Sequence, residues 1–478
     1  MQNIHGPITP RRFLLVHCPP AFTIIDTMNL FYDICYFCTA PVVVPFLFFK
    51  SLRTGKYRSD WPARFGRVRD EPPPGQNMRR LLLHCVSVGE LASMRLLIDR
   101  LLAGERRLFI ILTTTTDTGT ARAREIYDTP RYDGRVAAYR YPLDLSFAVE
   151  SFLDHTRPDA IALVELETWP NFISIAAARR IPIAVINGRL TQRSANRYAL
   201  IQPVIAAMLN KINWFGIQTE TIAKRFVWLG APAEKIEVIP TLKYDAADFS
   251  DIIPGQRELA DATGIRAWHS LFVGGSTGAG EETALLDSYT ALRGQYPALR
   301  LAIAPRQPTT VPLVEDAVKA RGLFPILRSK CPDGTQRPEL TSSDVLIVDT
   351  FGELKKLYNL ANCVFVGRSL VKLGGSDMIE AAALAKPLCF GPHTHNFSEV
   401  VELLLAGNAA AVVNDAAELT AWVDDCQQFA PAAKAAGLRA RSLIAQQCGS
   451  TEYYVKKLLG MCAASPASLP QMQRVGGV

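Results

Sequence analysis

Several stretches of this chain combine acids, cations and small residues in spacings that suit chemistry at the end of a strand. Ser87-Val88-Gly89-Glu90 places a carboxylate at the start of a helix. There it can take a proton from an attacking hydroxyl, or serve as an acid favoured by the helix dipole. Glu165-Leu166-Glu167-Thr168-Trp169-Pro170-Asn171 sets two acids and a tryptophan after a strongly apolar run. Acids at a strand end cost burial energy unless paired or solvated, so these face a cleft or form a structural ion pair. Asn187-Gly188-Arg189-Leu190 can supply a cation. Thr113-Thr114-Thr115-Thr116-Asp117-Thr118-Gly119 suits a polar ligand and equally a helix cap.

The second half repeats the theme. Gly274-Gly275-Ser276-Thr277-Gly278-Ala279-Gly280-Glu281-Glu282 lies between a strand and a helix, and its small residues let backbone amides approach a phosphate. It lacks the Gly-Lys-Ser/Thr ending of a Walker loop. Pro305-Arg306 follows the next strand, where the arginine suits a carboxylate or phosphate. Asp349-Thr350-Phe351-Gly352-Glu353-Leu354, Gly367-Arg368-Ser369-Leu370 and Gly374-Gly375-Ser376-Asp377-Met378-Ile379-Glu380 come after further strands. Glu380 suits a ribose diol. Turns of this kind at successive strand ends point to a nucleotide site. No Asp-x-Asp pair occurs, so the expected mechanism is metal-free and cofactor-free, with a leaving phosphate held by amides and basic side chains.

These residues need a scaffold that brings strand ends together. Residues 81–86 read as a buried strand and 91–102 as a helix; 108–113, 160–164, 183–186 and 215–218 are further apolar runs. A second series follows at 271–273, 301–304, 345–348, 363–366 and 388–390. Continuous apolar strands alternating with helices imply parallel sheets covered on both faces. The acidic, polar stretch 244–255 reads as a linker. The expected architecture is α/β, with two doubly wound domains facing a cleft. Their spans are 50–244 and 245–462, after an extension and anchor at 1–49 and before a loose tail at 463–478.

The first 28 residues are broken by Pro7, Pro10, Pro19 and Pro20. From Ile34 to Phe49 the chain runs 16 residues without a charge, interrupted by Pro41 and Pro45. A straight membrane span needs about 20 residues. The run is therefore a short or tilted span, a segment embedded from one side, or a buried core helix. Lys50, Arg53, Lys56, Arg58, Arg64, Arg67 and Arg69 follow, as suits anionic lipid at a cytoplasmic face or a solvated basic linker.

The whole chain has 478 residues, enough for two or three cores, and its 49% hydrophobic and 20% charged content excludes a disordered protein. The net charge of +7 is modest, and no nucleic-acid partner is expected. Its ten cysteines form no zinc-like double pair. Cys35 and Cys38 read as a buried pair of small apolar residues, and Cys85, Cys363 and Cys389 as strand residues; reduced thiols fit the cytosol.

In their order and spacing these motifs resemble the 3-deoxy-D-manno-octulosonic acid (Kdo) transferases, from about Met28 to residue 460. The resemblance rests on residues 86–90, 113–116 and 165–171, on Leu242-Lys243-Tyr244-Asp245, on Ser276-Thr277, Pro305-Arg306 and 349–354, and on Gly391-Pro392-His393-Thr394 with Asn396-Phe397. It implies a GT-B type fold and inverting, metal-independent transfer of Kdo from CMP-Kdo to a lipid A precursor. The setting implied is lipopolysaccharide synthesis at the cytoplasmic face of the inner membrane, with membrane lipid as a partner. Glu90 matches the family's general base. Glu165, in preference to Glu167, and Lys243 match positions that stabilise the transition state. Pro305, Arg306, Phe351, Gly352 and Glu353 match the CMP-binding stretch, as do Asp377, Met378, Ile379 and Glu380. The chain departs from the family pattern at Pro240-Thr241, Gly278, Gln307, Arg368 and Ser376-Asp377. All these departures fall on the donor side, and two histidines that could contact phosphate or the sugar carboxylate are lost there. Two rivals remain: the same fold acting on another nucleotide-activated acidic sugar, and a non-catalytic membrane-bound nucleotide-binding protein.

Overall fold

The computed structural model describes residues 29–41, 45, 49, 60–68, 78–86 and 88–464. The proline-broken start, Ser87, the basic residues Lys50, Arg53, Lys56, Arg58 and Arg69, and the tail from 465 lie outside the described residues. The chain divides into two units, Met1–Ile239 with Tyr454–Val478, and Pro240–Tyr453.

The first unit holds β1 (Arg79–His84), β2 (Leu108–Thr114), β3 (Val136–Arg140), β4 (Ala160–Val164), β5 (Ile183–Gly188), β6 (Trp214–Ile217) and β7 (Ile236–Val238). They form one parallel sheet in the order β3-β2-β1-β4-β5-β6-β7. The second unit holds β8 (Ser270–Thr277), β9 (Leu299–Pro305), β10 (Phe324–Leu327), β11 (Asp344–Ile347), β12 (Cys363–Val366), β13 (Leu388–Phe390) and β14 (Ala411–Val412). Its sheet is also parallel, in the order β10-β11-β9-β8-β12-β13-β14.

Alternating side chains show why these runs are apolar throughout. Leu271 and Val273 enter one buried cluster and Phe272, between them, enters another. Ala302 and Ala304 divide in the same way from Leu301 and Ile303. Both faces of the sheet are covered, as double winding requires. In each unit the chain winds to one side of its first strand and then returns to the other. β4 therefore pairs directly with β1, Leu81 opposite Ala160, and β12 pairs with β8, Cys363 opposite Phe272. The carboxyl ends at these reversals are where such sheets present ligand sites.

The helix Ser450–Ala464 begins in the second unit and continues in the first. The sequence reading carried the second domain on to residue 462. Tyr454 accounts for the return. It is fully buried, its hydroxyl accepts from the Asn187 amide at 3.0 Å and donates to the Gly216 carbonyl at 3.3 Å, and its ring meets Trp214 edge-on. A Cβ on Gly216 would lie 2.6 Å from the Tyr454 ring, so only glycine fits there. Lys457 adds an ion pair to Glu237 at 2.9 Å.

The expected N-terminal anchor is not found as a spanning helix among the described residues. Residues 29–41 are helical, but among the described residues no helix is long and apolar enough to cross a membrane. Positions 42–44 and 46–48 of the apolar run lie outside the described residues. The helix is docked by its polar side: Asn29, Tyr32 and Asp33 are buried. That face leaves Cys35 and Cys38 on the outside, so the expected burial of this pair is wrong. Cys85, Cys363 and Cys389 are buried as expected.

Replacing Tyr454 with Ala removes an aromatic side chain and both of its hydrogen bonds from the first unit. The expected cost is about 3–5 kcal/mol, read as a lower thermal midpoint. Tyr454→Phe keeps the ring and is expected to lose about 1 kcal/mol. Equal midpoints for the alanine variant and the wild type would remove this helix from the fold's support.

Candidate active site

In the first unit the reversal between β1 and β4 sets the site. Glu90 lies in the first turn of the helix Val88–Gly104 that follows β1, and its Oε2 accepts from the Val86 amide at 2.8 Å. Glu165 is the first residue after β4. It takes a left-handed backbone, φ 61°, while its amide bonds the Ile186 carbonyl of β5. Glu167 follows, and its carboxylate accepts from the Trp169 indole at 3.1 Å. Glu167 feels the other two carboxylates. Burial raises Glu167 to about 7, and the charges of Glu90 and Glu165 push the same way. Burial with those two charges also holds the neighbouring Cys85 thiol well above its usual range. Glu90 and Glu167, 77 residues apart in sequence, come within electrostatic reach because β1 and β4 are neighbours.

The threonine run is taken up by structure. Thr116 caps the helix Asp117–Tyr127 through the Gly119 amide, and Thr114 bonds Thr120 at 2.6 Å. Thr113 bonds the buried imidazole of His84, which desolvation lowers to about 3 and so keeps neutral. Asn187 is left-handed, φ 51°, with its amide and carbonyl engaged by Tyr454 and Gln218.

In the second unit the β8–β12 reversal carries a knot that sequence reasoning missed. Glu281 is 1% exposed, and its carboxylate accepts from the amides of Gly278 at 2.7 Å, Ser369 at 2.7 Å and Leu370 at 2.8 Å, and from that of Arg368. Glu282 bonds the Thr277 hydroxyl and the Gly280 amide. The amides of Gly278 and Gly280, expected to suit a phosphate, are therefore occupied by the chain's own acids. Backbone amides scattered over two loops give no side-chain signal, which is why the knot could not be read from sequence.

Gly278 stands where the family pattern has histidine. A Cβ there would lie 2.7 Å from Leu373, 3.2 Å from Val371 and 3.4 Å from the Arg368 Cγ, so neighbouring side chains already fill the space. Arg368 itself is left-handed, φ 61°, with its guanidinium donating to the Leu373 carbonyl.

Around this knot the structure gathers part of the expected donor set. Lys243 lies 4.0 Å from Asp377 and over the ring of Phe397. Asp377 bonds the Ile379 amide at the start of a short helix, Ile379–Ala383. Glu380 is raised, first by burial and then by Asp377, against the lowering charges of Lys355 and Arg306. Arg306, after Pro305 at the end of β9, is exposed. Met378 and Ile379 are buried in the apolar cluster, so only their backbone can meet a ligand. Glu353 is likewise turned inward, paired with Arg328 at 2.9 Å and bonded by Thr350. Phe351, two residues before it, is 78% exposed, and Gly352 between them is left-handed.

Comparison with known proteins points one way. Residues 59–246 match the family described as 3-deoxy-D-manno-octulosonic-acid transferase (kdotransferase). A 3-deoxy-D-manno-octulosonic acid transferase of Haemophilus influenzae is 30% identical over 392 residues, 82% of this chain and 88% of that protein. One of the same name from Bordetella pertussis is 29% identical, over 86% of this chain and 94% of its own length. The crystal structure of a glycosyltransferase from Rickettsia africae covers 81% of this chain and 98% of its own, with a TM-score of 0.55 at 11% identity, a likeness of fold alone.

The raised Glu167 gives a signed expectation. Its folded value of about 7 lies above the ordinary 4.5. Its contribution to stability is therefore fully present below 4.5 and is lost as pH rises through 7. Glu167→Gln suffers no such loss and can still accept from Trp169. The variant is expected to melt with the wild type at about pH 4 and above it at about pH 8. A difference that does not change with pH would show that Glu167 is not desolvated among charges.

Proposed function

The chain belongs to the family of 3-deoxy-D-manno-octulosonic acid transferases, and on that premise we propose that it transfers Kdo from CMP-Kdo to a lipid A precursor in lipopolysaccharide synthesis. One observation carries the assignment of the chemistry: Glu90 and Glu165 flank the strand reversal of the first unit, with Glu167 close enough for their charges to raise it.

Glu90 takes the proton of an acceptor hydroxyl. The oxygen attacks the anomeric carbon of Kdo, the bond to the phosphate breaks, and CMP leaves with inversion. Positive charge grows on the sugar as the bond breaks, and Glu165 offsets it. Lys243 and Arg306 offset the negative charge of the sugar carboxylate and the departing phosphate. Phe351 offers an exposed ring to the base, and the backbone from Asp377 to Glu380 supports the nucleotide. Arg368 supplies charge on the side where the two histidines of the family pattern are missing. The transfer needs no metal, a reading that rests on the missing Asp-x-Asp pair.

We place the protein on the cytoplasmic face of the inner membrane, attached from one side. Supporting this are the exposed Phe31, Ile34 and Phe37 on the docked helix, and the ring of Phe65 stacked on Phe147 beside Trp61. Apolar rings beside basic residues suit an interfacial position over anionic lipid.

Purified protein with CMP-Kdo and a detergent-dispersed lipid A precursor tests the reaction. Transfer is expected to survive excess EDTA, and Glu90→Gln is expected to lower kcat by about 10²–10⁴-fold with little change in CMP binding. Wild-type turnover in that variant removes Glu90 from the mechanism; rescue of an EDTA-killed enzyme by magnesium removes the metal-free reading. Transfer from a different CMP-sugar but not from CMP-Kdo would favour the altered-donor rival.

Attachment is tested by flotation. The protein is expected to rise with vesicles containing anionic lipid, and Phe31→Ser with Phe37→Ser to weaken that several-fold. Equal flotation on neutral and anionic vesicles would exclude the electrostatic part.

A further inference from the structure

The helix at residues 29–41 touches the rest of the first unit at one unusual place. Asp33 is 8% exposed. One of its oxygens accepts from the side-chain amide of Asn171 at 2.9 Å and the backbone amide of Ser146 at 3.0 Å, and the other accepts the Ser146 hydroxyl. Tyr36, one turn along, donates its hydroxyl to Asp144 at 2.8 Å. Asp144 in turn accepts from the amides of Asn171 at 3.1 Å and Phe172 at 2.8 Å, the opening turn of the helix Pro170–Ala178. Asn171 is wholly buried and also donates to the Asp144 carbonyl at 2.7 Å. Two aspartates therefore grip the start of one helix, and one of them arrives from more than a hundred residues upstream.

That helix start is the far end of the loop that carries Glu165, Glu167 and Trp169. Glu165 is held in a left-handed conformation at the near end by the Ile186 carbonyl. Trp169 packs 6.1 Å from Tyr141 and bonds Glu167. Nothing in membrane attachment requires a buried carboxylate on the inner face of an attaching helix. A tether could dock through apolar contacts alone, without the desolvation that burying Asp33 entails.

We propose that the N-terminal helix is a working part of the acceptor-side site, and that Asp33 and Tyr36, through Asn171 and Asp144, are positioning residues for the loop bearing Glu165 and Glu167. The inference rests on the assignment of that loop to the reaction. It implies that the helix cannot be removed as a mere tether without disordering the carboxylates.

The test uses the full-length chain with Asp33→Ala, Asp33→Asn and Tyr36→Phe. Turnover is measured on detergent-dispersed acceptor, where tethering has no role, beside amide hydrogen exchange of residues 165–173 and vesicle flotation. Asp33→Ala is expected to lower kcat about 10–100-fold, the scale of a small misplacement of reacting groups, with donor KM unchanged. It should speed exchange in 165–173 by about tenfold through local opening, while flotation stays as in the wild type. Asp33→Asn should recover most of kcat: its carbonyl can still accept from Asn171 and Ser146, and its amide can donate to the Ser146 hydroxyl. A folded Asp33→Ala with wild-type kcat and wild-type exchange overturns the proposal. If that variant does not fold, Tyr36→Phe decides, with a fall in kcat and faster loop exchange supporting the proposal and unchanged values overturning it. The exchange measurement needs no donor, so a failure of the Kdo assignment and a failure of this coupling give different results.

Discussion

A parallel sheet buried on both faces has polar openings only at its strand ends, and this constraint organises both units. Side chains along the strands are committed to two apolar layers, as the division of residues 271–273 between clusters shows. Chemistry is confined to the carboxyl ends, and most strongly to the reversals, where the loops of two adjacent strands diverge. Glu90 and Glu165 follow the paired strands β1 and β4; the glycine-rich turn and Arg368 follow the paired strands β8 and β12. Pairing fixed in the core thus sets which distant loops share a site.

Crowding several loops onto one sheet edge shows in the backbone. Glu165, Asn187, Ser276 and Arg368 all adopt positive φ at or just beyond strand ends. Such a conformation costs a non-glycine residue about 1–3 kcal/mol and persists only when its surroundings over-determine it. The over-determination is visible. Glu281 fixes the amides on either side of the β8–β12 reversal, the Arg368 carbonyl accepts from Gly375, and Ser369 bonds both the Val366 carbonyl and the Gly391 amide. A buried carboxylate satisfied by backbone amides is stable without a cation, because each amide brings a partial positive charge at hydrogen-bond distance. Beside the knot, Lys243 makes a long contact with Asp377, and the charge of Arg306 acts on Glu380.

The N-terminal helix has two unlike faces. Its apolar residues Leu30, Phe31, Ile34 and Phe37 are exposed, while Asn29, Tyr32 and Asp33 are buried against the first unit. This is the reverse of an ordinary surface helix, which buries its apolar stripe. A count of uncharged residues registers a membrane-seeking run, but Asp33 lies just before it and ties its first turns to protein.

The sequence by itself determined the α/β class and the two-fold repetition of strand and helix. Every strand in the interior of both sheets was legible, because burial on two faces demands an unbroken apolar run. The four it missed, β3, β7, β10 and β14, are the four sheet edges. An edge strand has one neighbour and thinner cover, so Ile236–Val238 includes a glutamate and Phe324–Leu327 a proline. Glu90, Glu165 and Glu167 could be named from sequence as acids at strand ends; only the pairing of β1 with β4 brought the charges of Glu90 and Glu165 to bear on Glu167. Spacing could not tell an acid that serves a ligand from one that serves the fold. Tertiary structure decided that Glu281 and Glu353 turn inward to amides and arginine, that Met378 and Ile379 are core, and that the last helix returns to the first unit through Tyr454. In each case the deciding partner is a backbone group or a residue far away in the chain, and no local pattern of side chains records it.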